Sequence, residues 1–222
     1  MTFSIVARDT SGAFGMAVSS SSPAVAARCV HLRDGVGAAS SQNITDPRLG
    51  TRLLDALASG LGAEQALAGL TASEPTAEYR QLVVVDAAGG VAVHSGARTL
   101  GIHGEATGFS VAAAGNMLST DQVPAAMVAA FEASEGELEE RLVTALRAGL
   151  TAGGEAGPVY SAGLSVVRSA GWRETDLRVD WTENPIDALE ALLEVWMPQR
   201  NNYVTRGLDP ASSPAYGVPG DE

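Results

Sequence analysis

Thr2 stands beside the start methionine and ahead of the run Phe3-Ser4-Ile5-Val6-Ala7. Initiator methionine is ordinarily trimmed when the second residue is this small, which would leave Thr2 with a free α-amine close to its own hydroxyl. A nucleophile and a base within one residue need no histidine. An α-amine titrates near ~7.7–8.0, so a good fraction is neutral at physiological pH and able to accept the hydroxyl proton. The plainer reading is a permissive second residue. Ser4 shares the strand face of Thr2 by the period of two; it is expected either to donate to a reacting group or simply to bond its strand neighbours. Asn116, in a Gly-Asn-Met turn leaving a strand, has two readings as well: an amide that bonds substrate, or a turn residue that tolerates positive φ.

Other polar residues offer less. Arg80 and Arg178 sit at or within strands, where an unpaired charge is expensive, so each is expected on a carboxylate, Arg178 on Asp176 or Asp180. Arg80 also stands as a candidate clamp for a substrate carboxylate. Arg28 is a candidate for the cation that keeps an N-terminal amine neutral. His31, His94 and His103 share no metal-ligand spacing with one another or with Cys29, so zinc is not expected. A serine hydrolase using an internal serine and a histidine stays open, since triads assemble in space, although no Gly-x-Ser-x-Gly elbow follows a strand. Gly89-Gly90 and Gly153-Gly154 do not match phosphate loops, and no cofactor is expected.

These residues need elements to hold them. Phe3–Arg8 and Ala13–Ser20 flank Thr10-Ser11-Gly12, a turn of hairpin length. Val36–Ser40 reads as a third strand. From Thr51 to Leu70 the period changes to helical, with Gly60 and Gly62 weakening or splitting the helix. Gln81–Asp86 and Val91–Ser95 form a second hairpin, and Phe109–Ala114 is a sixth strand. Capping patterns at Ser119/Gln122 and Ser134/Glu137 open two helices, the second with Leu138, Leu142, Leu146 and Leu150 on one stripe and Gly153-Gly154 at its end. Tyr160–Val167 and Asp176–Trp181 complete the strands, and Asn184-Pro185 caps a last helix. Strands arriving as hairpins, with helices in consecutive pairs, argue for an α+β fold with two antiparallel sheets under helix layers. Residues 1–197 form one domain; residues 198–222, rich in Pro, Gly and Ser, read as an extended or flexible arm.

Composition narrows the partners. The net charge is −12, and all 14 basic residues are arginine, so lysine chemistry is excluded. Such an acidic chain is a poor partner for nucleic acid or an anionic membrane. Cys29 has no second cysteine to pair with, no apolar run reaches the length of a membrane span, and no signal peptide opens the chain; a cytoplasmic protein is expected. Tyr203, Tyr216 and the prolines of the arm suggest contact with a second subunit, hence a homodimer.

Several segments, in order, carry a family likeness: the opening Thr2 to Asp9, Gly35-Val36-Gly37-Ala38 leading to Gln42, Arg80-Gln81 entering a strand that ends at Asp86, Gly115-Asn116-Met117-Leu118, Ala152-Gly153-Gly154, Asp176 to Asp180, and Tyr216 to Glu222. In these the chain resembles the uncharacterised family called domain of unknown function 1028. That family is grouped with the N-terminal nucleophile (Ntn) hydrolases, so the resemblance implies a four-layer αββα sandwich and cofactor-free cleavage of an amide C–N bond. It further implies that the ends of the second and third strands lie beside the N-terminus, where backbone N–H groups with Gln42 or Asn43 would hold an oxyanion. After Gly153-Gly154 the family pattern has an acidic residue, an Arg-Gly pair and a Gln-Ser pair; this chain has Glu155 but lacks the arginine, and Tyr160 replaces the glutamine. Glu155 is therefore expected at the substrate pocket, in a loop whose substrate preference or activity is altered. The expected function is an amidohydrolase for a small amide or ureide, with Thr2, Ser4 and Asn116 catalytic and Gln42, Asn43, Arg80 and Glu155 at the substrate. The rival is a non-catalytic binding or assembly protein on the same scaffold.

Overall fold

The computed structural model describes residues 1–219; Gly220, Asp221 and Glu222, which close the last family motif and the arm, lie outside the described residues. Two antiparallel sheets and seven α-helices are present among the described residues. The six-stranded sheet contains β1 (Thr2–Arg8), β2 (Phe14–Ser20), β7 (Gly104–Gly108), β8 (Val111–Asn116), β9 (Ser161–Val167) and β10 (Arg173–Val179), in the order β10-β9-β2-β1-β8-β7. The four-stranded sheet is β3 (Val30–Arg33), β4 (Gly37–Asn43), β5 (Arg80–Asp86) and β6 (Val91–Ser95), in sequence order. The helices are α1 (Ala26–Cys29), α2 (Pro47–Ala58), α3 (Ala63–Ser73), α4 (Val123–Ala133), α5 (Leu138–Thr151), α6 (Pro185–Trp196) and α7 (Arg200–Leu208).

Alternation along β1 sorts its side chains between two cores. Phe3, Ile5 and Ala7 join Met127 and Phe131 of α4, Leu142 and Leu146 of α5, and Leu189 of α6. Val6 faces the other way and joins Met16, Val18, Ala112, Ala114, Val83 and Val85, so this cluster lies between strands of the two sheets. A third cluster sets Ala39, Leu82 and Val84 against Leu49, Leu53 and Leu57 of α2 and Leu67 of α3. Because both faces of β1, β2 and β8 are covered, these strands read as continuous apolar or small-residue runs rather than as a polar–apolar alternation. Gly15 admits the close approach of α5: a Cβ there would lie 2.4 Å from Leu142 Cδ1.

Several boundaries differ from the sequence reading. The helical period from Thr51 to Leu70 is two helices. The first starts earlier, at Pro47, because Asp46 accepts the Arg48 N–H at 3.0 Å as N-cap; the second begins beyond Gly60, whose φ is +96°. Two strands with weak apolar signals, β3 and β7, were not expected. Phe109, expected inside a strand, sits in the β7–β8 turn and is 84 % exposed. The N-cap of α5 is Glu137 rather than Ser134; Glu140 reaches back to the Glu137 N–H at 3.0 Å.

The arm is corrected too: it is not extended throughout, for α7 and a short 3-10 turn, Pro210–Ser212, occupy much of it. Arg200 anchors α7 with bonds to Glu137 at 3.0 Å and to buried Glu139 at 3.2 Å. Tyr203 stacks on Trp196 at 5.4 Å, and the Arg206 guanidinium lies over Tyr203 and Tyr216. The tyrosines expected to reach a partner subunit thus pack within their own chain.

Candidate active site

β1 lies inside the six-stranded sheet, with β2 on one side and β8 on the other. Chain ends usually lie at the surface, yet Thr2 is only 5 % exposed. It sits directly opposite Asn116 in the β8 register, while on the β2 side Phe3 opposite Ser19 places Thr2 level with Ser20. Thr2 Oγ1 donates to the Met1 carbonyl oxygen and lies 3.4 Å from Ser20 Oγ. Ser20 Oγ accepts the Ser22 N–H at 3.0 Å, which turns its own hydrogen toward the same Met1 carbonyl. While Met1 is attached, both hydroxyls are therefore occupied by its carbonyl.

A loop crosses the head of β1. Gly154, in the left-handed region at φ +58°, ends the turn after α5; its N–H bonds Gly149 O and its carbonyl accepts from Ser119 N at 3.1 Å. Ala156 N then bonds Met117 O at 2.9 Å, and Glu155 bridges to Leu118, so this segment is tied to the end of β8. The Glu155 side chain reaches to the end of β2, where its two oxygens accept the Ser21 N–H at 3.1 and 3.2 Å. The carboxyl is buried, and burial pushes its pKa up to about 7, against the opposing pull of the Ser21 hydrogen bonds and the positive amino terminus.

Below Thr2, the space between the sheets holds a chain of side-chain amides. Ser4 Oγ donates to Gln42 Oε1 at 2.6 Å, and Ser40 Oγ does so at 3.1 Å. Gln42 Nε2 donates to Ala114 O at 3.1 Å and to Gln81 Oε1 at 2.8 Å. Gln81 Nε2 donates to Gly115 O and to Ser95 Oγ, both at 3.0 Å, and Asn116 Nδ2 donates to Gln81 Oε1 at 3.0 Å. The chain thus runs from Ser4, two residues below Thr2, back up to Asn116 beside it.

The structure therefore brings Thr2, Ser4, Gln42, Asn116 and Glu155 to one end of the sheets. It does not bring Asn43 or Arg80 to them. Asn43, at φ +71°, turns its amide to Tyr79 O at 2.6 Å and to Leu100 N at 3.2 Å. Arg80 donates to Ile44 O and, at 2.9 Å, to Thr76 Oγ1, so it braces a loop instead of pairing with a carboxylate through a hydrogen bond. Gln42 has both amide hydrogens engaged within the relay, so it has none for an oxyanion. Arg28 donates to Pro23 O at 2.7 Å and to Ala24 O at 3.2 Å. Arg178 does pair with Asp180, at 2.9 Å.

Gln81 is a candidate site residue that the sequence reading did not name, and Ser20 was a candidate only as one of the four serines, Ser19 to Ser22, that end the second strand. Gln81 was legible in principle, as a polar residue on the strand face shared with Val83 and Val85 and directly opposite Gln42. The histidine alternative gains nothing: His31, His94 and His103 contact the carbonyls of Arg28, Ala77 and Gly101, and among the described residues none bonds a serine. Among the described residues no group of three or more His, Cys, Asp or Glu is arranged to hold a metal, and no helix is long and apolar enough to cross a membrane. A cavity of about 350 Å³ lined by Leu57, Leu61 and Asp86 opens at the opposite end of the four-stranded sheet.

Comparison with known proteins places these residues in a wider group. The model of a family of unknown function, DUF1028, matches residues 2–189. The crystal structure of protein SPO2555 from Silicibacter pomeroyi, attributed to the same family, is 33 % identical, covers 88 % of each chain and superposes with a TM-score of 0.82. Anbu, an ancestral β-subunit from Yersinia bercovieri, is 9 % identical over 88 % of this chain and 97 % of its own; its TM-score of 0.41 is too low to carry an argument. No curated protein matches.

Proposed function

The chain belongs to the DUF1028 family, and from that premise and the geometry around Thr2 we propose a cofactor-independent amidohydrolase whose nucleophile and base are the hydroxyl and α-amine of Thr2 after loss of Met1. The observation that carries this reading is the burial of Thr2 among polar side chains at the head of an interior strand, with the buried Glu155 carboxylate on the N–H of Ser21, next to Ser20. We read the succession of helices, six-stranded sheet, four-stranded sheet and helices as the αββα sandwich that the Ntn resemblance implies. The substrate on this reading is a small amide or ureide, and the setting cytoplasmic.

Loss of Met1 frees the Thr2 and Ser20 hydroxyls together and opens the volume that Met1 fills. The neutral Thr2 amine takes the Oγ1 proton as the oxygen bonds to the substrate carbonyl carbon. The Ser20 hydroxyl, held in a donating orientation by the Ser22 N–H, faces the oxyanion. The C–N bond breaks as the amine hands its proton to the leaving nitrogen. Water, deprotonated by the same amine, then cleaves the acyl ester and restores Thr2. Glu155, whose buried carboxyl is raised toward neutrality while Met1 is present, is the titratable group that would exchange protons with the amine between turnovers.

The test is intact mass together with labelling by an α′,β′-epoxyketone, which closes its morpholine ring only on a residue bearing both a free amine and a hydroxyl. Protein lacking Met1, labelled once, with labelling abolished by Thr2→Ala, is the expected result. Retention of Met1 in protein from its native host would favour the non-catalytic binding scaffold, because the Thr2 hydroxyl would stay engaged with the Met1 carbonyl.

A further inference from the structure

Asn116 is fully buried, and its Oδ1 has no hydrogen-bond donor. Buried amide oxygens are nearly always paired, so an exception asks for an explanation. Reversal of the amide does not supply one, because its orientation is set from a distance. Ala114 O and Gly115 O are main-chain carbonyls and can only accept, so the atoms of Gln42 and Gln81 that face them are nitrogens. Gln81 Oε1 is then the acceptor between Gln42 Nε2 and Asn116 Nδ2. Turning Asn116 over would press its oxygen against Gln81 Oε1. Its nitrogen is fixed toward Gln81 and its oxygen away from Gln81, and the side chain lies on the strand face shared with Thr2, its register partner.

We propose that Asn116 Oδ1 is a specificity-determining acceptor for a ligand N–H, and that the substrates are amides or ureides carrying at least one hydrogen on nitrogen. The ligand is called a substrate on the strength of the amidohydrolase reading; the acceptor site itself follows from the relay. Esters and N,N-disubstituted amides enter the same space but leave Oδ1 unpaired and desolvated. A site built to bond an N–H rejects the analogue lacking it far more strongly than a difference of one methyl group in an apolar pocket would.

The experiment uses the full chain prepared to begin at Thr2, by cleavage of a fusion immediately before it. Acetamide, N-methylacetamide, N,N-dimethylacetamide and methyl acetate are titrated while the backbone amides of Phe3 and Met117 and, in the unaltered chain, the Asn116 side-chain amide are followed by NMR, and crystals are soaked with each. Acetamide and N-methylacetamide should bind with nitrogen within hydrogen-bond distance of Oδ1, at least about tenfold more tightly than the other two. Asn116→Leu should level the four affinities; should that variant not fold, the comparison on the unaltered chain decides alone. Equal binding of all four, binding of none at this position, or occupation of Oδ1 by the Thr2 amine itself overturns the proposal. Turnover is read separately. N–H-selective binding without hydrolysis of any amide would sink the amidohydrolase reading and leave the acceptor, whereas equal cleavage of secondary and tertiary amides would sink the acceptor and leave the hydrolase.

Discussion

Replacing Glu155 by glutamine should stabilise the protein in alkaline but not in acid solution. The wild-type carboxyl is raised from 4.5 to about 7 in the folded chain. Each unit is worth about 1.4 kcal/mol, so the ionised folded state carries a penalty of up to roughly 3 kcal/mol. Between these two values the folded chain holds a proton that the unfolded chain has released, and stability therefore falls as pH rises through that window. Below about 4.5 the penalty is absent; above about 7 it is complete. Glutamine has the same shape, retains an oxygen for the Ser21 N–H and carries no charge to desolvate. Urea unfolding of the two proteins should give equal stabilities near pH 4 and a Glu155→Gln advantage of about 2–3 kcal/mol near pH 8.5, reduced by whatever attraction the amino terminus loses with the carboxylate, while groups that do not interact with Glu155 cancel in the difference. The epoxyketone labelling rate of Thr2 should fall in the same variant. A Glu155→Gln protein less stable than wild type at alkaline pH, or a difference that does not vary with pH, would refute the reasoning.

Two further outcomes follow from groups outside the site. Glu139 is fully buried and accepts from Arg168 at 2.9 and 2.7 Å, Arg200 at 3.2 Å and Thr175 at 2.8 Å. Burial alone would raise its carboxyl pKa, but the Arg168 hydrogen bonds and charge outweigh that and lower it. Glu139→Ala removes the buried carboxylate that Arg168 and Arg200 share, leaving both arginines the more exposed Glu137 and Arg168 also Glu174 at 3.6 Å, and should cost about 2–3 kcal/mol in urea unfolding, a loss below about 1 kcal/mol contradicting the network; the stability it supplies is full above the unfolded carboxylate range and lost as acid protonates it below that range. Cys29 is buried, and desolvation, only partly opposed by the nearby Arg28 charge, pushes its thiol up to about 11. It should resist iodoacetamide at neutral pH until urea unfolds the chain, and fast native-state alkylation would show the thiol to be accessible.

What the sequence revealed depended on how local the signal was. β1, β2, β5 and α5 declare themselves through apolar runs and a leucine stripe, and Thr2 was conspicuous from its position alone. β3 was missed because its alternation, Val-His-Leu-Arg, lasts only four residues, and β7 because Gly-Glu-Ala-Thr-Gly has almost no apolar residues; pairing with β4 and β8 makes them strands. The arm looked aperiodic because α7 carries few apolar residues and is held by Arg200 and Tyr203 rather than by an apolar stripe. Asn43 looked like a site residue because it follows Gln42 at a strand end, and Arg80 because a charge at a strand needs an anionic partner. A strand turns successive side chains to opposite faces, so the neighbours of two inward-facing glutamines belong to the loops outside. Ser20 stood among four serines, and only the three-dimensional placement of Met1 and Ser22 distinguishes it.

Along β1 the inter-sheet space changes from apolar to polar: Val6 lies with Ala112, Val83 and Val85, whereas Ser4 and Thr2 lie with Gln42, Gln81, Asn116 and Ser20. Stability alone does not call for that change, since apolar residues could fill the same space without amides that must each find partners. Nor do these amides face solvent, for each is fully buried. Every link from Ser4 to Gln81 is closed by a main-chain carbonyl or another side chain, so the relay is rigid and its direction fixed. It ends on one oxygen without a donor, beside a threonine whose hydroxyl is held by the Met1 carbonyl. On the proposed reading, a ligand that enters once Met1 is removed would complete a network closed everywhere except at that point, and the stability argument and the functional proposal then rest on the same few atoms.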